Sequence, residues 1–203
     1  MLTAEENVFL TQVGKNTPMG ELLGRYWHPF GAAAELDAKS TKSVRLLGED
    51  LVAYKDKSGN LGLIERFCPH RGTDLSFGIP ENDGLRCMYH GWMLNNEGKC
   101  IEQPFEDTIR PEGRFKDKVT VTAYKIRSFA GMLRAYMGPD PDPLLPTWEP
   151  FTWENGYSDI GIAKIPCTWV QCQENSYDPV HLEWLHGYWG TVQEREKVGH
   201  AGG

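Results

Sequence analysis

Residues 67–92 read FCPHRGTDLSFGIPENDGLRCMYHGW. Cys68 and His70 are one residue apart; sixteen residues further on come Cys87 and His90, with two between them. Thiolates are soft ligands and imidazoles borderline ones, so together they point to zinc or to iron and sulfide. Structural zinc typically pairs Cys with Cys and His with His. Here each pair is mixed. A binuclear cluster in which one iron takes two cysteines and the other two histidines needs one of each from each loop. Gly72 and Gly91 trail the pairs and leave room for the backbone to approach the sulfides. The alternatives are a zinc site, or buried core cysteines with surface histidines.

Working outward, the 203 residues suffice for one large domain or two small ones and can bury a core without staples. The net charge of −7, from 21 basic and 28 acidic residues, excludes a nucleic-acid surface. Five cysteines, Cys68, Cys87, Cys100, Cys167 and Cys172, are too few and too scattered for a secreted disulfide scaffold. The opening MLTAEENVFLTQ lacks the basic start and apolar core of a signal peptide. No apolar run approaches the roughly 20 residues that span a bilayer. The expectation is a cytoplasmic protein with neither membrane nor nucleic-acid partners.

Residues 3–13 predict a short helix with a Thr3–Glu6 capping box, and Thr17–Pro18 starts a second. SVRLLGEDLVAYKDKSGNLGLIERF predicts three strands turning at GED and KSGN. GWMLNNEGKCIEQP predicts a hairpin, and KVTVTAYKIRS and GMLRAYMG further strands. Five prolines in residues 138–151 deny that stretch a helix or an internal strand. YSDIGIAKIP reads as one more strand. CTWVQCQENSYDPVHLEWLHG reads as helix broken near Asp178–Pro179, and the last residues, YWGTVQEREKVGHAGG, show no clear element. The expected spans are an N-terminal helical segment (1–37), a cluster domain (38–138), a connector (139–151) and the start of a second domain (152–203).

Asn175, Asp178, His181 and His186 form N-x2-D-x2-H-x4-H. Asp178 can cap a new turn beginning at Pro179. Five residues on an ideal α-helix turn through about 500°, so His181 and His186 would not share a face. The helix is therefore expected to bend or end between them, with Gly187 placed to end it. Two histidines plus a carboxylate, with open positions, make the facial triad of non-heme Fe(II) oxygenases. Glu194 and Glu196, the carboxylates after His186, read as a solvated charge run, and His28 and His200 as ordinary surface or packing residues.

CPHRG with CMYHGW resembles the Rieske motif of ring-hydroxylating oxygenases. The opening residues and RLLGEDLVAYKDKSGNLGLIERFCPHRG are similar to the phthalate 4,5-dioxygenase branch. The resemblance implies an α+β chain. It would comprise an antiparallel β Rieske [2Fe–2S] domain and the N-terminal portion of a helix-grip-type catalytic domain, in a subunit that continues past Gly203. It implies that Cys68, His70, Cys87 and His90 hold the cluster and that His181 and His186 hold a mononuclear Fe(II). Asp178 and Asn175 are then catalytic positions, Asp178 as the relay between the two iron centres at a subunit boundary of a homotrimer. The family's carboxylate ligand lies downstream, beyond these residues. A reductase would supply electrons from NAD(P)H, and O2 would hydroxylate an aromatic or related substrate. The second reading is a free-standing Rieske-type electron carrier without a working mononuclear site.

Overall fold

The computed structural model describes residues 2–200, the side chains of 198–200 aside. The chain forms two compact units: Gln12–Ile162, and Met1–Thr11 together with Ala163–Gly203.

Helix α1 (Ala4–Thr11) opens the chain. Its expected capping box is present, with Thr3 N donating to Glu6 Oε2 at 2.7 Å and Glu6 N to Thr3 Oγ1 at 3.2 Å. The Gln12–Ile162 unit begins with α2 (Pro18–Leu23), capped by Thr17. There follow β1 (Trp27–Ala32), α3 (Ala33–Ala38), β2 (Thr41–Leu46), β3 (Glu49–Lys55) and β4 (Leu61–Glu65). Next come four short strands, β5 (Ile79–Pro80), β6 (Leu85–Arg86), β7 (Met93–Leu94) and β8 (Cys100–Glu102), and helix α4 (Pro104–Ile109). The unit closes with β9 (Ala123–Phe129) and β10 (Met132–Tyr136).

Two antiparallel sheets result. The larger has the order β1-β10-β9-β4-β3-β2 and the smaller the order β5-β6-β7-β8. Residues 27–32, inside the span expected to be helical, are a strand because β1 pairs with β10 from Trp27↔Tyr136 to Ala32↔Met132. That pairing ties residues before 38 to the main sheet, so the observed division falls elsewhere than the spans read from sequence.

Strand β3 shows how the core is built. Leu51, Val52, Ala53 and Tyr54 are all buried, and successive side chains on a strand point to opposite faces. Val52 and Tyr54 join Ile64, Leu75, Leu85, Leu94, Cys68 and Cys87 in one apolar cluster. Leu51 and Ala53 join Leu36, Leu63, Leu133 and Ala135 in another. One strand thus serves two cores, and the first of them backs the Cys–His loops. Gly62 sits where a Cβ would lie 2.3 Å from the Tyr54 ring.

Three expectations need correction. YSDIGIAKIP forms no strand, because residues 157–166 pair with no strand among the described residues and a strand without a ladder leaves its backbone groups to water. Gly187 does not end the helix. After α5 (Trp169–Tyr177) and the short α6 (Pro179–His181), residues Leu182–Trp189 form a π-helix. The segment expected to lack structure then continues as α7 (Gly190–His200). No described helix is long and apolar enough to cross a membrane.

Candidate metal centres

The two Cys–His loops are built alike. In the first, Cys68 N donates to Thr73 O at 2.9 Å, and Gly72 N returns to Cys68 O at 2.9 Å. In the second, Cys87 N donates to Trp92 O at 2.8 Å, and Gly91 N returns to Cys87 O at 3.0 Å. Each loop closes through a glycine in the left-handed region, Gly72 at φ 68° and Gly91 at φ 77°. That conformation strains any residue with a Cβ. A Cβ on Gly72 would meet nothing within 4 Å, so its requirement is conformational, not one of space.

The loops bring all four residues together. Cys68 and Cys87 are buried in the core. The His70 and His90 rings lie above them with centroids 4.5 Å apart. Burial pushes the Cys68 thiol up to about 11, and the neighbouring Cys87 adds to the effect. His70 is lowered by burial and by nearby His90 and Arg71, so its ring is neutral at pH 7. Its Nδ1 is buried with no hydrogen-bond partner. A buried neutral imidazole nitrogen without a donor is an unmet acceptor, which a metal ion would satisfy. Two adjacent sulfurs and two adjacent imidazoles fit a cluster that takes two protein ligands on each iron.

Several supporting residues were not read from the sequence. Arg66 grips Asp74 across the first loop through Nη2 at 2.5 Å and Nε at 3.0 Å. Asp74 also accepts from Ser76 N at 2.9 Å, and these donors hold its carboxyl down at about 2. Arg86 binds Glu81 at 2.6 Å and Glu102 at 2.6 Å, and donates to Gly91 O, in the second ligand loop, at 2.7 Å. Trp92 stacks on His70 at 4.5 Å with 9° between the planes. The Arg and Trp positions adjoin the motif, but nothing in local spacing shows which distant carboxylates they meet. Cys100, the third buried cysteine, points instead to Glu102 O at 3.5 Å.

In the other unit, Thr168 caps α5 in a capping box with Gln171. Asn175 is exposed on α5. Asp178 caps α6, accepting from Val180 N at 2.9 Å and His181 N at 3.3 Å. The π-helix resolves the spacing problem of His181 and His186. Bonding from i to i+5 brings residues five apart to the same side of the helix, and the two rings come within 5.3 Å. His181 Nδ1 is buried without a hydrogen-bond partner, and Asp178 Oδ2, at 3.8 Å, is beyond hydrogen-bond reach. The pair could supply two nitrogen ligands. Among the described residues, no group of three or more His, Cys, Asp or Glu is arranged to hold a metal ion. His28 Nε2 lies 2.7 Å from Leu23 O, a packing role, while the His200 side chain lies outside the described residues.

Paired glycine-closed Cys–His loops on a two-sheet antiparallel fold define a Rieske-type iron–sulfur domain, and residues 26–125 match the family described as Rieske [2Fe-2S] domain. More narrowly, the chain belongs to the Rieske non-heme iron oxygenases. It is 59% identical over 189 residues to the 5,5'-dehydrodivanillate O-demethylase oxygenase subunit of Sphingobium sp., covering 93% of this chain and 45% of that one. It is 39% identical over 191 residues to the phthalate 4,5-dioxygenase oxygenase subunit of Pseudomonas putida, covering 92% and 42%. Among solved structures it resembles NdmA of Pseudomonas putida CBB5, with a TM-score of 0.51, 28% identity and coverage of 58% of this chain and 36% of that one. The chain thus spans less than half the length of these relatives.

Proposed function

We propose that this chain carries the cluster site and two of the iron ligands of an oxygenase component that hydroxylates an aromatic substrate. In this reading Cys68 and Cys87 ligate one iron of a [2Fe–2S] cluster and His70 and His90 the other. His181 and His186 ligate a mononuclear Fe(II). The observation that carries the proposal is the twin-loop arrangement, which gathers two buried thiols and two adjacent imidazoles. When bound, the cluster would supply single electrons and the mononuclear iron a site for O2.

This chain's own residues prepare that chemistry. Burial of Cys68 and Cys87 excludes water from the sulfur side, while His70 and His90 present their rings toward the loop tips. Trp92 fixes the plane of His70. Asp178 holds the first turn of α6 and so positions His181. As a relay it would accept from imidazole N–H groups, which orients both rings. The electrons come from NAD(P)H through a reductase, and the working form is a homotrimer. The 59% identity to an O-demethylase subunit favours an aryl methyl ether as substrate, cleaved after hydroxylation of its methyl carbon.

The second reading, an electron carrier, is favoured by the absence among the described residues of a third ligand beside His181 and His186. One experiment separates the two. The chain is purified anaerobically, iron and sulfide are counted, and the cluster is reduced. Fe(II) is then added with O2 and an aromatic ether or acid. Product formation coupled to cluster oxidation supports the oxygenase, and reversible cluster reduction without product supports the carrier. A colourless protein with stoichiometric zinc refutes both.

A further inference from the structure

We propose that Cys167 and Cys172 form a reversible disulfide in response to peroxides. Cys68, Cys87 and Cys100 are buried; these two, exposed and half-buried, are the accessible thiols of the chain, and their Sγ atoms are 3.3 Å apart. The proximity is locally encoded. Thr168 is the N-cap of α5, so Cys167 precedes the cap and Cys172 is the fourth helical residue. Those are the two positions that meet in a hydrophobic staple. Here both are filled by thiols.

The helix start that holds them is well anchored. Thr168 and Gln171 bond each other's backbone across the first turn, and Trp169 Nε1 donates to Thr11 O at 2.9 Å. The sulfurs need only close from contact to a bond of about 2.05 Å. A ring closing over so few residues removes little entropy from the unfolded chain. The bond is therefore readily reduced, as a switch requires and a structural staple does not.

The step balances with hydrogen peroxide. One sulfur, as thiolate, attacks the O–O bond, giving a sulfenic acid and hydroxide. The second sulfur displaces the sulfenic oxygen as hydroxide and forms the S–S bond. Two thiols are oxidised, one peroxide is reduced, and two waters leave. The bond to the Cys172 sulfur raises the Cys167 thiol above its ordinary value, so oxidation quickens with rising pH.

The test uses the cluster-loaded chain with hydrogen peroxide at a level that leaves the cluster's visible absorbance intact. Thiol titration and peptide mass analysis should show both sulfurs lost together, residues 167 and 172 linked, and both regained with dithiothreitol. In Cys172→Ser or Cys167→Ser the remaining thiol should give sulfinic acid or linked dimers instead. At micromolar protein, dimers should form about a hundredfold more slowly than the internal bond, which acts at millimolar effective concentration. Separate sulfinic acids in the unsubstituted chain, disulfide formation at an unchanged rate in either serine variant, or survival of both thiols in excess peroxide would overturn the proposal.

Discussion

Replacing Arg86 by methionine should loosen the second cluster loop before it unfolds the domain. The guanidinium is 18% exposed and makes bonds of 2.6–2.7 Å to Glu81, Glu102 and the Gly91 carbonyl. Removing one partner of a fully buried ion pair costs about 3–5 kcal/mol. Glu81 and Glu102 are 35% and 46% exposed, so water recovers part of that. The expected loss is about 2–3 kcal/mol once the unmet Gly91 carbonyl is included. For a domain of this size that lowers Tm by roughly 4–12 °C. Methionine keeps the apolar stem packed, so the loss reports the guanidinium. Arg86→Lys, with one ammonium for three acceptors, should recover less than half of it. The assay follows backbone circular dichroism and cluster absorbance in one thermal ramp. In the variant the cluster should bleach at a lower temperature than the sheet melts. A methionine variant within about 0.5 kcal/mol of the parent, or one whose cluster and sheet are lost together as before, would refute the reasoning.

Asp74→Asn should remove about 1–2 kcal/mol near neutral pH, because the carboxyl sits at about 2 against an ordinary 3.8 and is largely shielded. Its stabilisation is complete above pH 4 and is lost as pH falls toward 2, so urea melts of parent and variant should converge over that window. Gly62→Ala should cost about 1–3 kcal/mol, since its Cβ would meet the buried Tyr54 ring at 2.3 Å; a second change, Tyr54→Phe, should not rescue it, because the ring carbons clash as well. Trp92→Leu should keep the cluster but shift its midpoint potential by removing the plane stacked on His70. An unchanged potential by redox titration would leave Trp92 a packing residue only.

Much of the cluster site was legible because its chemistry is compressed into residues 67–92. Mixed Cys–His pairs and trailing glycines carry their meaning locally. The hairpins of β2–β4 were legible too, since turn residues punctuate a buried alternating pattern. What escaped was non-local. The membership of Trp27–Ala32 in the sheet depends on β10, a hundred residues on. The grips of Arg66 and Arg86 depend on which carboxylates the fold brings near. YSDIGIAKIP has a strand's alternation, but alternation supplies no partner. The geometry of His181 and His186 was misjudged for another reason: a five-residue spacing is incompatible with an α-helix, and a π-helix was not among the forms considered.

That π-helix has an evolutionary reading. A helix bonded from i to i+5 is what an α-helix becomes when it absorbs one inserted residue without breaking. Deleting one residue among Leu182–Leu185 would leave the histidines four apart, the spacing at which an ordinary α-helix aligns them. The two imidazoles would stay neighbours while everything C-terminal to them swung by one residue's rotation, about 100°. The inserted residue therefore sets less whether the histidines meet than the direction in which the chain leaves them.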